Sequence, residues 1–187
     1  MTYIRLKLTS ALAFAVLSGA VGGCAMMAAP TGTISRDAAA RSGDWHDVAT
    51  AADRQRIRGW WQAWADGLAS ARAHGDGAAI TAEGALLEPA AALPNPHLPP
   101  GDYACRVIKL GTPAGSTLAY VAYPRFRCRV AAEQDIFSFT KITGSQRQVG
   151  LIFDDNDRRK IFLGTLMLGD ETRALDYGAD AERNLAG

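Results

Sequence analysis

The rhythm of apolar and polar positions changes about halfway along the chain. In the first half, Ile57, Trp60, Trp61, Trp64, Leu68 and Ala71 recur at helical spacing on one stripe. Arg54, Arg56, Arg58, Gln62, Asp66 and Arg72 fall outside it or on its borders. The spacing predicts an amphipathic helix over residues 50–74, with a capping-box-like start at Thr50 and Asp53 and a stop at Gly75. In the second half the period is two: Val149, Leu151 and Phe153 alternate with Gln148, Gly150 and Ile152. Strands are predicted at 103–110, 118–130, 136–143, 148–154 and 159–168, with a less regular sixth at 173–177. The last long run, "KIFLGTLML", is apolar on both faces and reads as a well-buried strand. "GTPAGS" and "DDNDRR" supply turns between strands. The two halves are joined by "EPAAALPNPHLPPG", residues 88–101, which holds five of the eight prolines and reads as a stiff extended connector. The expected architecture is α+β: an N-terminal amphipathic helix packed on an antiparallel β-meander over 102–187 that forms a barrel or half-barrel.

Three tryptophans on one helix face have two uses. Trp60, Trp61 and Trp64 are expected to pack onto the rest of the domain, because a large apolar stripe usually finds a core. Lying on a lipid surface is the other use of such a face.

The first 23 residues follow a different logic. Arg5 and Lys7 precede an apolar run from Leu8 to about Val21, the pattern of a secretory signal peptide and too short for a membrane span. Val21-Gly22-Gly23-Cys24 resembles the lipobox of bacterial lipoproteins. That resemblance implies cleavage before Cys24, a diacylglycerol thioether on its sulfur and, with Ala25 following, the periplasmic leaflet of the outer membrane. Two or more acyl chains, each contributing about 0.8 kcal/mol per buried CH₂, anchor durably. Residues 24–44 lack periodicity and read as a flexible tether reaching about 25 Å. The globular domain is expected over 45–187.

Charge and cysteine count narrow the function classes. The chain carries 20 Lys and Arg against 19 Asp and Glu, and its first 23 residues hold two of those cations. The near-neutral remainder has no general electrostatic pull on nucleic acid. With Cys24 assigned to lipid, Cys105 and Cys128 remain as an even pair in an exported domain. Folding the 103–110 and 118–130 strands about Gly115–Ser116 sets the two cysteines opposite one another, so a structural disulfide is expected. A redox or metal role lacks a CxxC or a second ligand pair.

"GSQR", residues 144–147, interrupts two apolar runs and is the place to look for catalysis. A nucleophilic Ser145 would need a base and an orienting acid. The three histidines, His46, His74 and His97, lie at the end of the tether, at the helix end and in the proline connector. No G-x-S-x-G elbow, HExxH or phosphate-binding loop occurs. The acidic turn fails as a calcium loop, since Arg159 and Thr165 stand where glycine and a bidentate glutamate are required. Gly144-Ser145 therefore reads as a hairpin tip, and Gln146 and Arg147 as a candidate polar recognition patch. No cofactor or metal is expected.

A tryptophan-bearing helix followed by "LPPGDYACRVIKLG", "YPRFRCRV", "KITGSQRQVGLIFDDNDRRKIFLGTLMLGDE" and "YGADAERNLAG" resembles the proteobacterial family known as domain of unknown function 4893, over about residues 45–187. The resemblance implies an exported domain and brings no catalytic residues with it. The expected function is a lipid-anchored, non-catalytic binding module that touches an envelope protein, glycan or lipid. The alternatives are a cell-envelope hydrolase, or an inhibitor of an envelope-directed hydrolase or protease.

Overall fold

The computed structural model describes residues 42–112 and 116–187. Residues 1–23, where a signal peptide is expected, Cys24, most of the segment expected as a tether and Gly115 lie outside them. Asp44 caps the first short helix, α1 (Trp45–Val48), by accepting from the His46 amide at 2.8 Å. Helix α2 (Ala51–Arg58) starts at the predicted cap, where Thr50 Oγ1 accepts from the Asp53 amide at 3.1 Å. Then come α3 (Trp60–Ala73), α4 (Gly77–Ala82) and a 3₁₀ turn (Gly84–Leu87).

The helix expected over 50–74 is thus two helices. Gly59 sits between them at φ −88° and ψ 2°, with its amide shared by the carbonyls of Gln55 and Arg56. Glycine is a weak helix former, and the two flanking faces serve different cores. Ile57 packs toward the sheet, while Leu68 and Ala71 pack with α4 and a small hairpin.

Residues 88–100 form neither helix nor strand, in keeping with their prolines. The strands are β1 (Gly101–Cys105), β2 (Ile108–Leu110), β3 (Tyr120–Ala122), β4 (Phe126–Glu133), β5 (Ile136–Lys141), β6 (Gln146–Asn156), β7 (Arg159–Leu168) and β8 (Asn184–Ala186). Six of them make an antiparallel sheet in the order β1-β4-β5-β6-β7-β8, and β2 and β3 pair separately. Each of the first two predicted strands is therefore divided between two sheets. Pro124, which has no amide to give a ladder, marks the break on one side, and Arg106-Val107 mark it on the other. Residues 173–177 form no strand; β8 lies further along the chain.

Of the expected barrel or half-barrel, the closed barrel is corrected: the sheet is open. β1 pairs with β4 and β8 with β7, and no ladder joins β1 to β8. Closure is unnecessary because helices already cover one face. Trp45, Val48, Ala49 and Ile57 pack on Ile136, Leu151, Phe153, Ile161 and Leu163, with Phe153 fully buried. On the other face, Gly150 and Gly164 stand opposite each other with the Phe162 ring against them. A Cβ on Gly150 would fall 2.3 Å from the Leu163 carbonyl oxygen, so this close approach admits only glycine.

A buried polar latch seals the edge of this core. Asp53, 0% exposed, accepts from the Tyr177 phenol and from Thr50 Oγ1 at 2.8 Å. Arg56 Nη2 lies 2.6 Å from its other oxygen, an ion contact without hydrogen-bond geometry. The chain segment beyond β7 is thereby pinned to α2.

Candidate functional site

The largest concavity among the described pockets lies where α3, the 3₁₀ turn and β2 meet. It is an open groove of about 680 Å³. Helical spacing sets Trp60, Ala63 and Trp64 of α3 along one wall. Leu86 and Leu87 of the 3₁₀ turn and Ile108 and Leu110 of β2 supply the rest of the apolar lining, with Ala186 and Arg56 at one end. Gly67 lets α3 approach β2 closely, since a Cβ there would sit 3.2 Å from Leu110 Cβ. Trp64 is fixed at the rim by its Nε1, which donates to the Leu87 carbonyl at 3.2 Å. Trp60 meets Trp64 edge to face with ring centroids 6.3 Å apart.

The groove's charges are internally matched. Arg106 forks onto Glu83, with Nη1 donating to Oε1 at 3.0 Å. The Tyr120 hydroxyl donates to the same oxygen at 2.9 Å. Arg106, then Tyr120, hold the Glu83 carboxyl below the usual carboxylate range. Burial, then the Glu83 charge, push the Tyr120 phenol up. Arg56 is engaged by Asp53 and by the Asn184 carbonyl at 3.3 Å. The lining thus combines apolar and aromatic surface with a few fixed polar groups, the composition of small-molecule sites that enclose roughly 300–1,000 Å³.

The sequence-predicted residues divide among several places. Trp60 and Trp64 line the groove, whereas Trp61 does not and is 50% exposed. Cys105 and Cys128 form a disulfide with a Cα–Cα distance of 5.9 Å. Their pairing is diagonal, since Cys128 stands opposite Tyr103 and Cys105 opposite Phe126. Gln146 lines a separate pocket at the Gly144 turn. Arg147 is directed elsewhere: its Nη2 donates to the carbonyls of Gly169 and Glu171 at 3.0 and 2.7 Å. His46 stacks on Trp45, His74 faces the Ser70 carbonyl, and His97 is exposed in the connector. Among the described residues, no group of three or more His, Cys, Asp or Glu side chains is placed to hold a metal.

Sequence reasoning missed Glu83, Leu86, Leu87, Arg106 and Tyr120. The apolar spacing of Ile80 and Leu87 in "GAAITAEGALL" was the signal for a second packed helical segment, and those two residues are buried.

The described fold begins its first packed element at Trp45, and a family match begins at the same residue. The family described as "Domain of unknown function (DUF4893)" matches residues 45–187, and the chain belongs to it. No curated protein and no solved structure matches the chain.

Proposed function

We propose that the chain is a lipid-anchored, non-catalytic binding module on the periplasmic face of the bacterial outer membrane. Its groove holds an apolar chain of an envelope lipid. The single observation that carries this reading is the open groove walled by Trp60, Trp64, Leu86, Leu87, Ile108 and Leu110, whose two arginines are already neutralised by Asp53 and Glu83. Such a lining favours an uncharged ligand segment, because an unpaired ion would lose its hydration there without a partner. The lipobox-like Val21-Gly22-Gly23-Cys24 adds a reason for a lipid: an acylated Cys24 keeps the groove within tether reach of a leaflet.

Two measurements test the two halves of the proposal. Cys24→Ala is expected to move the protein from the membrane fraction to the soluble fraction, or to leave it uncleaved. A mature Cys24→Ala protein that still sediments with membranes rules out the anchor. For the groove, a fatty acid bearing a nitroxide quencher is expected to quench tryptophan fluorescence saturably. Leu86→Glu, at a 58% exposed position of the lining, should weaken that quenching about tenfold without unfolding the protein. Equal quenching in the variant would place the probe elsewhere.

A further inference from the structure

A second pocket lies at the Gly144 turn, and it shares no lining residue with the groove. Lys141, the last residue of β5, is 4% exposed. A lysine buried that deeply is ordinarily paired with a carboxylate. Here the Nζ donates to the Gln146 carbonyl at 2.6 Å and lies 3.6 Å from the centroid of the Phe126 ring. The charged neighbour that acts on it is Arg147, another cation, and the combination of burial and that cation draws the lysine below its ordinary pKa. An ammonium has three donors, and one is used.

The surroundings are built around this amine. Gly144 has φ +90°, and a Cβ there would sit 3.0 Å from both Lys141 Nζ and Phe126 Cε1. The turn therefore needs glycine both for its backbone and to leave room beside the amine. A pocket of about 310 Å³ opens over it, lined by Lys141, Lys109, Tyr123, Ser145, Gln146 and Gln148 among others. Lys109 is exposed, and its Nζ donates to Gln146 Oε1 at 3.3 Å. The lining contains two cations, hydroxyls and amides, and no carboxylate.

We infer that this pocket binds an oxyanion, the carboxylate or phosphate group of a small ligand, with the Lys141 ammonium as its buried counter-charge and Lys109 as a second cation. The ligand group fills the place a carboxylate side chain takes beside other buried lysines. Hydroxyl and amide donors from Ser145, Tyr123, Gln146 and Gln148 complete its hydrogen bonding. The Gly144–Arg147 turn is then a recognition loop in which Gln146 and the preceding glycine matter, and Arg147 holds the frame.

The test is a titration of the ¹⁵N-labelled full chain with inorganic phosphate, with acetate and with phosphatidylglycerol vesicles, followed by amide shifts and by Tm. Saturable shifts at Gly144, Ser145, Gln146 and Gln148, with a rise in Tm, are expected from an oxyanion. A response to phosphate or acetate identifies a soluble ligand group; a response to the vesicles alone identifies a lipid headgroup. Lys141→Met is expected to weaken binding about tenfold or more. It should also raise Tm in buffer without the anion, because it removes an unmatched buried charge. Lys109→Gln, on the surface, should weaken binding about threefold and leave Tm in buffer unchanged. No response to any of the three probes, or equal responses in wild type and Lys141→Met, would overturn the assignment. A Lys141→Met protein that is less stable and an insensitive wild type would make the lysine a purely structural support for the turn.

Discussion

Phe153 and Leu110 are both apolar residues on antiparallel strands, yet one is sealed and the other faces a groove. Phe153 belongs to the sheet region, where α1 and α2 cover β5, β6 and β7 with nine buried residues. Leu110 belongs to the hairpin region, where α3, α4, the 3₁₀ turn and Ala119 just before β3 contribute five buried residues, and Trp64, Ile108, Leu110 and Tyr120 are only partly covered. The sheet buries a broad face against helices that match it. A two-strand hairpin has too little surface to cover a helix bearing several tryptophans. The concavity arises at that mismatch, so the groove proposed for binding and the stability of the fold are lodged in different places. The largest expected effects follow. Phe153→Ala should cost about 3–5 kcal/mol, and Leu110→Ala roughly 1–2 kcal/mol, in urea unfolding. Equal costs would mean that the hairpin region is as tightly packed as the sheet and that the contrast fails.

The disulfide sharpens the same contrast. Cys105 and Cys128, 23 residues apart, close a loop that contains all of β2 and β3. In the chain-entropy account such a closure stabilises by about 3 kcal/mol. Cys105→Ala with Cys128→Ala should lower stability by that order. Amide exchange should accelerate first across 108–122, while β5–β7 stay protected. Loss of protection in β5–β7 at the same rate would show that the hairpin and the sheet open as one unit.

These regions were unequally legible in the sequence. Period-two alternation located β6, because a strand with one face on a core must alternate, and apolar runs bounded by turn signals located β5 and β7. The cap at Thr50 and the stop after Ala73 were legible because helix ends need particular side chains. The break at Gly59 was not. Its amide still bonds to Gln55 and Arg56, and Ala63 donates to its carbonyl, so local pattern runs through it. Only the presence of two cores explains the break. The separate β2–β3 pair was hidden for a similar reason, since Tyr123 donates to the Val107 carbonyl across the break and keeps the hairpin apparently continuous. Of the sites, the Trp60 and Trp64 wall was legible as an apolar stripe. Its opposite wall came from a segment with few strong signals, residues 83–87. Lys141 looked like an ordinary strand-end lysine, and only burial distinguishes it.

The smallest effect concerns the polar seals of the two regions, and it has a direction in pH. The Tyr177 phenol donates to Asp53 and accepts from the Thr50 amide at 3.1 Å. Burial first, and then the Asp53 carboxylate, push it from 10.0 to about 12. A phenol raised in this way favours its neutral form in the folded chain. Its contribution is therefore complete below pH 10 and is lost as the pH climbs toward about 12, where the unfolded chain ionises first. Tyr120, in the hairpin region, is also raised, by its own burial and by Glu83, and it acts in the same direction. Tyr177→Phe should cost about 1–2 kcal/mol at neutral pH, through the lost hydrogen bond to the buried Asp53 carboxylate and the unmet Thr50 amide. It should also flatten the fall in urea midpoint between pH 10 and about pH 12. Tyr120→Phe should do less of both, because its partner Glu83 keeps Arg106. Asp53 has Arg56 alone at its other oxygen, without hydrogen-bond geometry, and it is buried completely. A larger alkaline flattening from Tyr120→Phe would reverse the order, placing the tighter polar seal beside the groove rather than on the sheet core.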